Sequence, residues 1–407
     1  MNRNQILKIY GTDYKEMTKR LLASAELDRH LLWAASQKAG KGFSSGDRAA
    51  GAVSRAEEDG SLVSAEDKEA LRIAIKPNLV CATPASFGGT THPEIVAGII
   101  EYLREHGYSD IRIIEGSWVG DKTSDAFEYC GYRELTEHYH VPFIDGQKEK
   151  SHPVDAAGME LHVVNAVDEI DFLINVPVLK GHCQTKVTCA LKNMKGLLPN
   201  SEKRRFHKLG LHRPIAHLST ILKPDFIVID HICGDLDFEE GGNPVVRNCV
   251  MAALDPVLTD TYACWLMHYT PDDVPYVRMA EKLGSGSTDL SSAQIIELNR
   301  SAEGGTTDEE LPQQKKLLAV SYAVDEVDSC SACYGNLIPA LYRLKEEGLL
   351  DGLQDKIAIG QGQQGKSGPL GIGKCTRSFS CCIMGCPPSE DVIYEGLKAY
   401  IRGQRNI

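Results

Sequence analysis

Leu71-Arg-Ile-Ala-Ile75, followed by Lys76-Pro-Asn78, decides how the rest of the sequence reads. A short apolar run closed by a proline turn predicts a strand. Downstream, Thr91-His-Pro-Glu94 has the pattern of a capping box with proline near the first helical position. Ile95, Ile99, Ile100 and Leu103 then form a helical apolar stripe that Gly107 ends. The same rhythm continues outward. Ile111 to Glu115 predicts a strand and Thr123 to His138 a helix. Phe172 to Val176, Phe226 to Ile229 and Val245 to Leu254 predict further strands. Thr185 to Lys195 and Val257 to Met267 predict helices. Upstream, Gln5 to Tyr10 predicts a strand and Asp13 to Leu27 a helix. Ala34 to Asp67, rich in Ala, Gly, Ser and charge, predicts a flexible insertion or lid. Alternating strands and helices predict an α/β fold: a mostly parallel sheet with helices on both faces.

Gly284-Ser-Gly-Ser287 and the polar stretch to Pro312 close this core. The expected organisation is an N-terminal strand–helix with insertion over 1–70, an α/β core over 71–312, and a smaller C-terminal α/β cysteine-rich domain over 313–407. In that last part Lys316 to Tyr322 and Lys356 to Ile359 predict strands, each leading through cysteines into a helix.

The chain has 407 residues, long enough to bury a large core without disulfides. With 44 basic and 56 acidic residues the net charge is −12, which makes nucleic acid an unfavourable general partner. No stretch approaches the roughly 18 apolar residues of a membrane span. Met1 to Gln5 lacks an apolar signal-peptide core, so a cytoplasmic location and no membrane partner are expected.

The average charge conceals a local reversal. Lys180 to Arg213 holds nine Lys/Arg against Glu202 alone, a +8 segment inside a remainder of −20. It starts at a strand end, Asn175-Val-Pro-Val-Leu-Lys180-Gly-His182, and open parallel sheets bind ligands beyond the carboxyl ends of their strands. Lys186, Lys192, Lys195, Arg205, His207 and His212 are therefore candidates for a pocket that takes a phosphate- or carboxylate-bearing small molecule. Asn78 and Glu115 leave other strands and join them as substrate-binding candidates. Lys180, His182 and Asp230 are the candidates for acid–base catalysis. A solvated basic helix, and ordinary caps and turns, are the structural alternatives. His207, His212 and His217 are five apart, so they form no helical ligand stripe.

Six of the 13 cysteines fall in the last 78 residues. Cys330-x2-Cys333, Cys375 and Cys386 can hold a four-iron (4Fe-4S) cluster or one tetrahedral zinc. Cys386-Pro-Pro favours iron, because a cysteine before proline is a recurring cluster-ligand context. Gly385-Cys386-Pro387-Pro388 also resembles the segment that closes the cluster site in the small subunit of respiratory NADH dehydrogenases.

Ile75-Lys-Pro-Asn-Leu79, Thr91-His-Pro-Glu94, Asn175 to His182, Ala190-Leu-Lys-Asn-Met-Lys-Gly196 and Val228-Ile-Asp230 together resemble the bacterial and archaeal family named domain of unknown function 362, from about Leu71 to Gly284. That resemblance implies a frequent iron–sulfur attachment but no settled reaction. This tail lacks the ferredoxin-type C-x2-C-x2-C-x3-C-P run. More distantly, the core layout is similar to nickel-dependent lactate racemases, which implies analogous parts for Lys180 and His182. The expected function is an iron–sulfur oxidoreductase acting on an anionic small molecule, with a redox partner protein. A metal-dependent racemase or isomerase with structural zinc, and a non-enzymatic electron carrier, are the alternatives.

Overall fold

A computed structural model describes residues 1–40, 63–299 and 315–403. Its main sheet has eight strands: β1 (Gln5–Tyr10), β2 (Ile73–Lys76), β3 (Ile111–Glu115), β4 (Phe143–Asp145), β7 (Phe172–Asn175), β10 (Phe226–His231), β11 (Cys249–Ala253) and β12 (Gln294–Glu297). Their order is β12-β1-β11-β10-β7-β2-β3-β4. Neighbours are parallel except where β11 pairs antiparallel with β1 and β10. The intervening strands form two hairpins, β5 (Ser151–Asp155) with β6 (Glu160–Val164), and β8 (Lys180–His182) with β9 (Lys186–Thr188).

Alternation along each strand feeds two cores, one on each face. Ile73, Ile75, Ile111, Ile113 and Val228 enter one cluster. Ala74, Ile114, Leu173, Ile227 and Ile229 enter the other. Successive strand residues point to opposite faces, so a sheet covered on both sides reads as nearly continuous apolar runs. The chain runs from β2 out to β3 and β4, then returns to β7 on the other side of β2. The switch point therefore lies between β2 and β7, where Lys76 stands in register with Asn175.

The C-terminal region has its own parallel sheet: β13 (Val324–Glu326), β14 (Ile357–Ile359), β15 (Leu370–Ile372) and β16 (Cys381–Ile383), in that order. The helices Ser331–Glu346 and Glu390–Ile401 contribute Leu337, Leu341, Ile393 and Leu397 to a separate apolar core.

Several expected elements differ. Thr185 to Lys195 is not one helix. Its β-branched Val187 and Thr188 pair with β8, Lys186 turns at φ +64°, and only Ala190–Asn193 is α-helical. Lys203, Arg204, Arg205 and His207 lie in the helix Asn200–Leu209. Lys316 to Tyr322 is a helix over Lys315–Val320 and a short turn, with the strand following at Val324; a short apolar run fits either element. Thr91 is no cap. Its hydroxyl accepts from the Asn78 amide at 2.8 Å and donates to the Val176 carbonyl at 2.8 Å, and His92 occupies the N-cap position before Pro93. Of the insertion expected over Ala34 to Asp67, the first residues finish the helix Leu27–Lys38 and Ala65–Glu69 is a short helix; 41–62 lie outside the described residues.

Candidate functional site

Beyond the carboxyl ends of β2 and β3 lies a cavity with about 470 Å³ of empty space. Asn78, Glu115, Lys192, Lys195 and His207, all expected from the sequence, line it. Lys203, Glu239 and Trp118 line it as well.

Its floor is a buried ion pair. Lys76 Nζ meets Glu115 Oε2 at 2.5 Å and donates to the Pro77 carbonyl at 2.9 Å. The Gly116 amide donates to Glu115 Oε1 at 2.7 Å. Burial pulls the Lys76 ammonium below the usual lysine range, and Glu115 offsets this. Gly196 passes over the pair. A Cβ there would stand 1.9 Å from Glu115 Oε1 and 2.7 Å from Lys76 Nζ. Gly196→Ala is therefore expected to lower unfolding free energy by about 1–3 kcal/mol, the usual range for overpacking. Urea denaturation reads it, and an unchanged midpoint would refute the close fit.

Glu239 organises the opposite wall. Its Oε2 lies 3.0 Å from His182 Nε2, and its other oxygen accepts from Lys192 Nζ. The Gln184 and Thr185 amides both donate to His182 Nδ1 at 3.0 Å, which fixes the hydrogen on Nε2 and directs it at Glu239. Burial, then Lys192, lowers the His182 pKa to about 4, so a neutral imidazole holds the carboxylate. Burial alone would raise the Glu239 carboxyl, but Lys192 and His182 keep it well below the usual glutamate range.

Lys203 Nζ donates to the Gly116 and Ser117 carbonyls at 2.8 and 2.9 Å, and burial lowers its pKa to about 8. Lys195 has no hydrogen-bond or ion-pair partner among the described residues. Burial and the neighbouring Lys192 bring its pKa down to about 7. Burial likewise holds His207 near 3. Five lysines (Lys76, Lys180, Lys192, Lys195 and Lys203) thus crowd around two carboxylates, Glu115 and Glu239. The surplus is positive, and Lys195 is the ammonium with unused donors.

The other candidates lie elsewhere. Lys180 is fully buried beside the cavity and does not line it. It donates to Asn78 Oδ1 at 3.3 Å, to the Glu239 carbonyl at 2.7 Å and to the Gly89 carbonyl, which occupies all three ammonium hydrogens. Asp230 turns away from the cavity and holds His92 Nδ1 at 2.8 Å. Lys186 lies 3.6 Å from Asp273 and over the Tyr269 ring. Arg205 pairs with Glu202 at 2.6 Å and bonds the Glu160 carbonyl. His212 Nδ1 accepts from the Tyr276 amide at 3.3 Å with its ring stacked on that tyrosine. The acidic loop Asp235-Leu-Asp-Phe-Glu-Glu240, set against the +8 segment, is the signal that would have pointed to Glu239.

The cysteines gather at the carboxyl edge of the small sheet. Cys330 caps the helix Ser331–Glu346 after β13, Cys375 follows β15, and Cys386 follows β16. Burial, then Cys330, Cys386 and Cys375 in turn, push the Cys333 thiol up to about 12, and Cys375 and Cys386 also raise Cys330. Cys333 thus lies within electrostatic reach of Cys330, Cys375 and Cys386, and Cys330 of Cys375 and Cys386. In chemistry the donor set fits a thiolate-bound group. Among the described residues, however, no three His, Cys, Asp or Glu side chains are grouped as ligands of a single metal ion. Cys382 Sγ instead approaches Thr376 Oγ1 at 3.4 Å and Met384 Sδ at 3.6 Å. Gln361 spans the two regions: its Nε2 lies 3.7 Å from Cys330 Sγ and 3.3 Å from the carbonyl of His207.

No helix among the described residues is long and apolar enough to cross a membrane. The thylakoid-associated protein sll1697 of Synechocystis sp. is 24% identical over 240 residues, covering 53% of this chain and 69% of that protein. Residues 73–265 match the model of a family described as domain of unknown function (DUF362), over the segment whose motifs resemble it. The α/β core that builds the lysine-lined cavity is thus the part of the chain that matches the DUF362 family.

Proposed function

We propose that the chain is an iron–sulfur redox enzyme that binds an anionic small molecule in the cavity at the β2 and β3 strand ends. The observation that carries this reading is Gln361, whose amide reaches both the Cys330 thiol and the backbone of the cavity residue His207. One side chain thus joins the cysteine group to the wall of an anion pocket.

A four-iron cluster, held by Cys330, Cys333, Cys375 and Cys386, would supply one-electron chemistry there. The ligands of such a cluster each bind a different iron, whereas ligands of one zinc all stand about 2.3 Å from it. The Cys386-Pro387-Pro388 context is what favours iron over zinc here. Cys386 is exposed, so a redox partner protein would approach that edge. In the cavity, Lys195 and Lys192 would hold the substrate anion. Glu239, itself held by His182, keeps Lys192 in place, and the amine of Lys195 is the group able to carry a proton.

Anaerobic purification, iron and sulfide analysis, and EPR of the reduced protein test the proposal. The expected result is about 4 iron atoms per chain, lost in Cys330→Ser and Cys386→Ser. Burial and mutual repulsion raise Cys330 and Cys333, and metal ligands must be thiolates, so loading releases protons and weakens as pH falls. Stoichiometric zinc or nickel without iron would support the racemase or isomerase reading instead. A cluster whose potential is indifferent to Lys192→Met and Lys195→Met would leave an electron carrier.

A further inference from the structure

Outside the cavity, three side chains form a relay that the proposed redox function does not use. His92 stands at the N-cap of the helix Pro93–Glu105. Its Nδ1 lies 2.8 Å from Asp230 Oδ2, and its backbone amide donates to the same oxygen at 2.8 Å. The Ile232 amide donates to Asp230 Oδ1 at 3.0 Å. The carboxylate is thus locked in place, and the imidazole with it. The far nitrogen, Nε2, points at Cys233 Sγ, 3.7 Å away. Cysteine, histidine and aspartate in this order are the parts of an activated nucleophile: sulfur, proton-holding imidazole and orienting carboxylate.

Burial opposes a charged imidazole, but Asp230 and then Cys233 outweigh it and raise His92 to about 10. His92 is therefore an imidazolium at neutral pH, with its Nε2 hydrogen directed at the Cys233 sulfur. Tyr14 packs its ring edgewise on His92 at 5.5 Å and donates to Asn248 Oδ1. Cys233 is 5% exposed and the His92 side chain 11%. A reagent about the size of water fits such access better than a bulky one.

We propose that Cys233, His92 and Asp230 form a thiol site that reacts with small hydroperoxides. Cys233 gives up its thiol proton to solvent, the thiolate attacks one peroxide oxygen, and an S–O bond forms as the O–O bond breaks. The departing hydroxide or alkoxide takes the Nε2 proton of His92 and leaves as water or alcohol. Sulfur is oxidised by two electrons to sulfenic acid and the peroxide is reduced by two. His92 is left neutral and regains a proton from solvent. Asp230 keeps its charge throughout and holds the ring in place. Before reaction the Cys233 thiol donates to the Ala85 carbonyl at 3.4 Å.

The full-length protein is treated with limiting hydrogen peroxide, quenched in denaturant with a sulfenic-acid trap, and mapped by peptide mass spectrometry. The internal references are Cys249 and Cys264, buried thiols outside the relay; burial pushes the latter well above its usual range. Cys233 should be trapped at least about tenfold faster than either, and His92→Gln and Asp230→Asn should each remove about tenfold of its rate while leaving the references unchanged. Equal trapping of Cys233 and Cys264 in the unaltered protein would overturn the proposal, whatever the variants do. An unaltered Cys233 rate in folded His92→Gln would overturn it too.

Discussion

Replacing Glu239 by alanine should cost about 2–3 kcal/mol of unfolding free energy, because the carboxylate is 28% exposed while the Lys192 and His182 groups it satisfies are buried. The carboxylate bonds Lys192 and His182, and the same residue's carbonyl accepts from Lys180. Its removal leaves buried ammonium groups facing one another without a counter-charge. Glu239→Gln removes the charge at nearly constant volume and keeps one of the two accepted hydrogen bonds, its amide nitrogen facing a donor, so most of the loss should persist if charge and acceptor number decide it. Recovery to within about 1 kcal/mol of the unaltered protein would show that packing decides instead. The pH profile gives a second reading. The Glu239 pKa is lowered on folding, so its contribution is full above the ordinary glutamate value of 4.5 and is lost as pH falls through the lower folded value. Glu239→Ala should therefore lose less additional stability in acid. His182, at about 4 against 6.5, and Lys180, at about 8 against 10.5, act in the same direction, because the unfolded chain takes up protons that the folded chain refuses. Stability of the empty pocket should climb with pH across all these windows. Urea midpoints measured from acid to alkaline pH check the sign.

The main sheet and much of the pocket wall were legible because both depend on local signals. Apolar runs ending in Lys76-Pro-Asn78 and Glu115-Gly116 mark strand ends, and a parallel sheet gathers its strand ends at one edge. Asn78, Glu115, Lys192, Lys195 and His207 consequently share one cavity. What failed depended on direction. Lys180 and Asp230 occupy equivalent positions, yet one is enclosed by acceptors and the other faces His92. Strand-end position fixes where a backbone is, and tertiary packing then fixes which way its side chain turns. Glu239 was invisible for a related reason. Its loop has no periodicity, and it reaches the pocket because Gly234 lets the chain pass the Leu179 carbonyl, where a Cβ would stand 1.9 Å away. The hairpin Lys180–Thr188 was misread because a cluster of lysines favours helix, while the deciding contacts are cross-strand.

Sulfate binding to the cavity should weaken by up to about tenfold per pH unit above the Lys195 pKa, and Lys195→Met should remove most of that slope below about pH 8, where Lys180 and Lys203 begin to titrate. Sulfate remains a dianion throughout the neutral range, so any pH dependence comes from the protein. His182 and His207, at about 4 and about 3, stay neutral there and contribute none. Lys180 and Lys203, at about 8, have their hydrogens committed to backbone and Asn78 acceptors, so they supply field but few contacts. Lys195 differs because its amine has no partner among the described residues and its pKa, about 7, lies inside the measured range. A bound anion restores the ammonium, and binding is then coupled to proton uptake. Calorimetry in two buffers of different ionisation enthalpy counts that proton directly. About one proton taken up per sulfate at about pH 8, falling towards none at about pH 6, is the expected pattern. A flat affinity, or proton uptake that survives Lys195→Met, would assign the titration to another group. Because the measurement needs no metal, it tests the anion pocket independently of the cysteines. A pocket that binds sulfate in a chain that holds no iron would retain the substrate class and discard the electron chemistry.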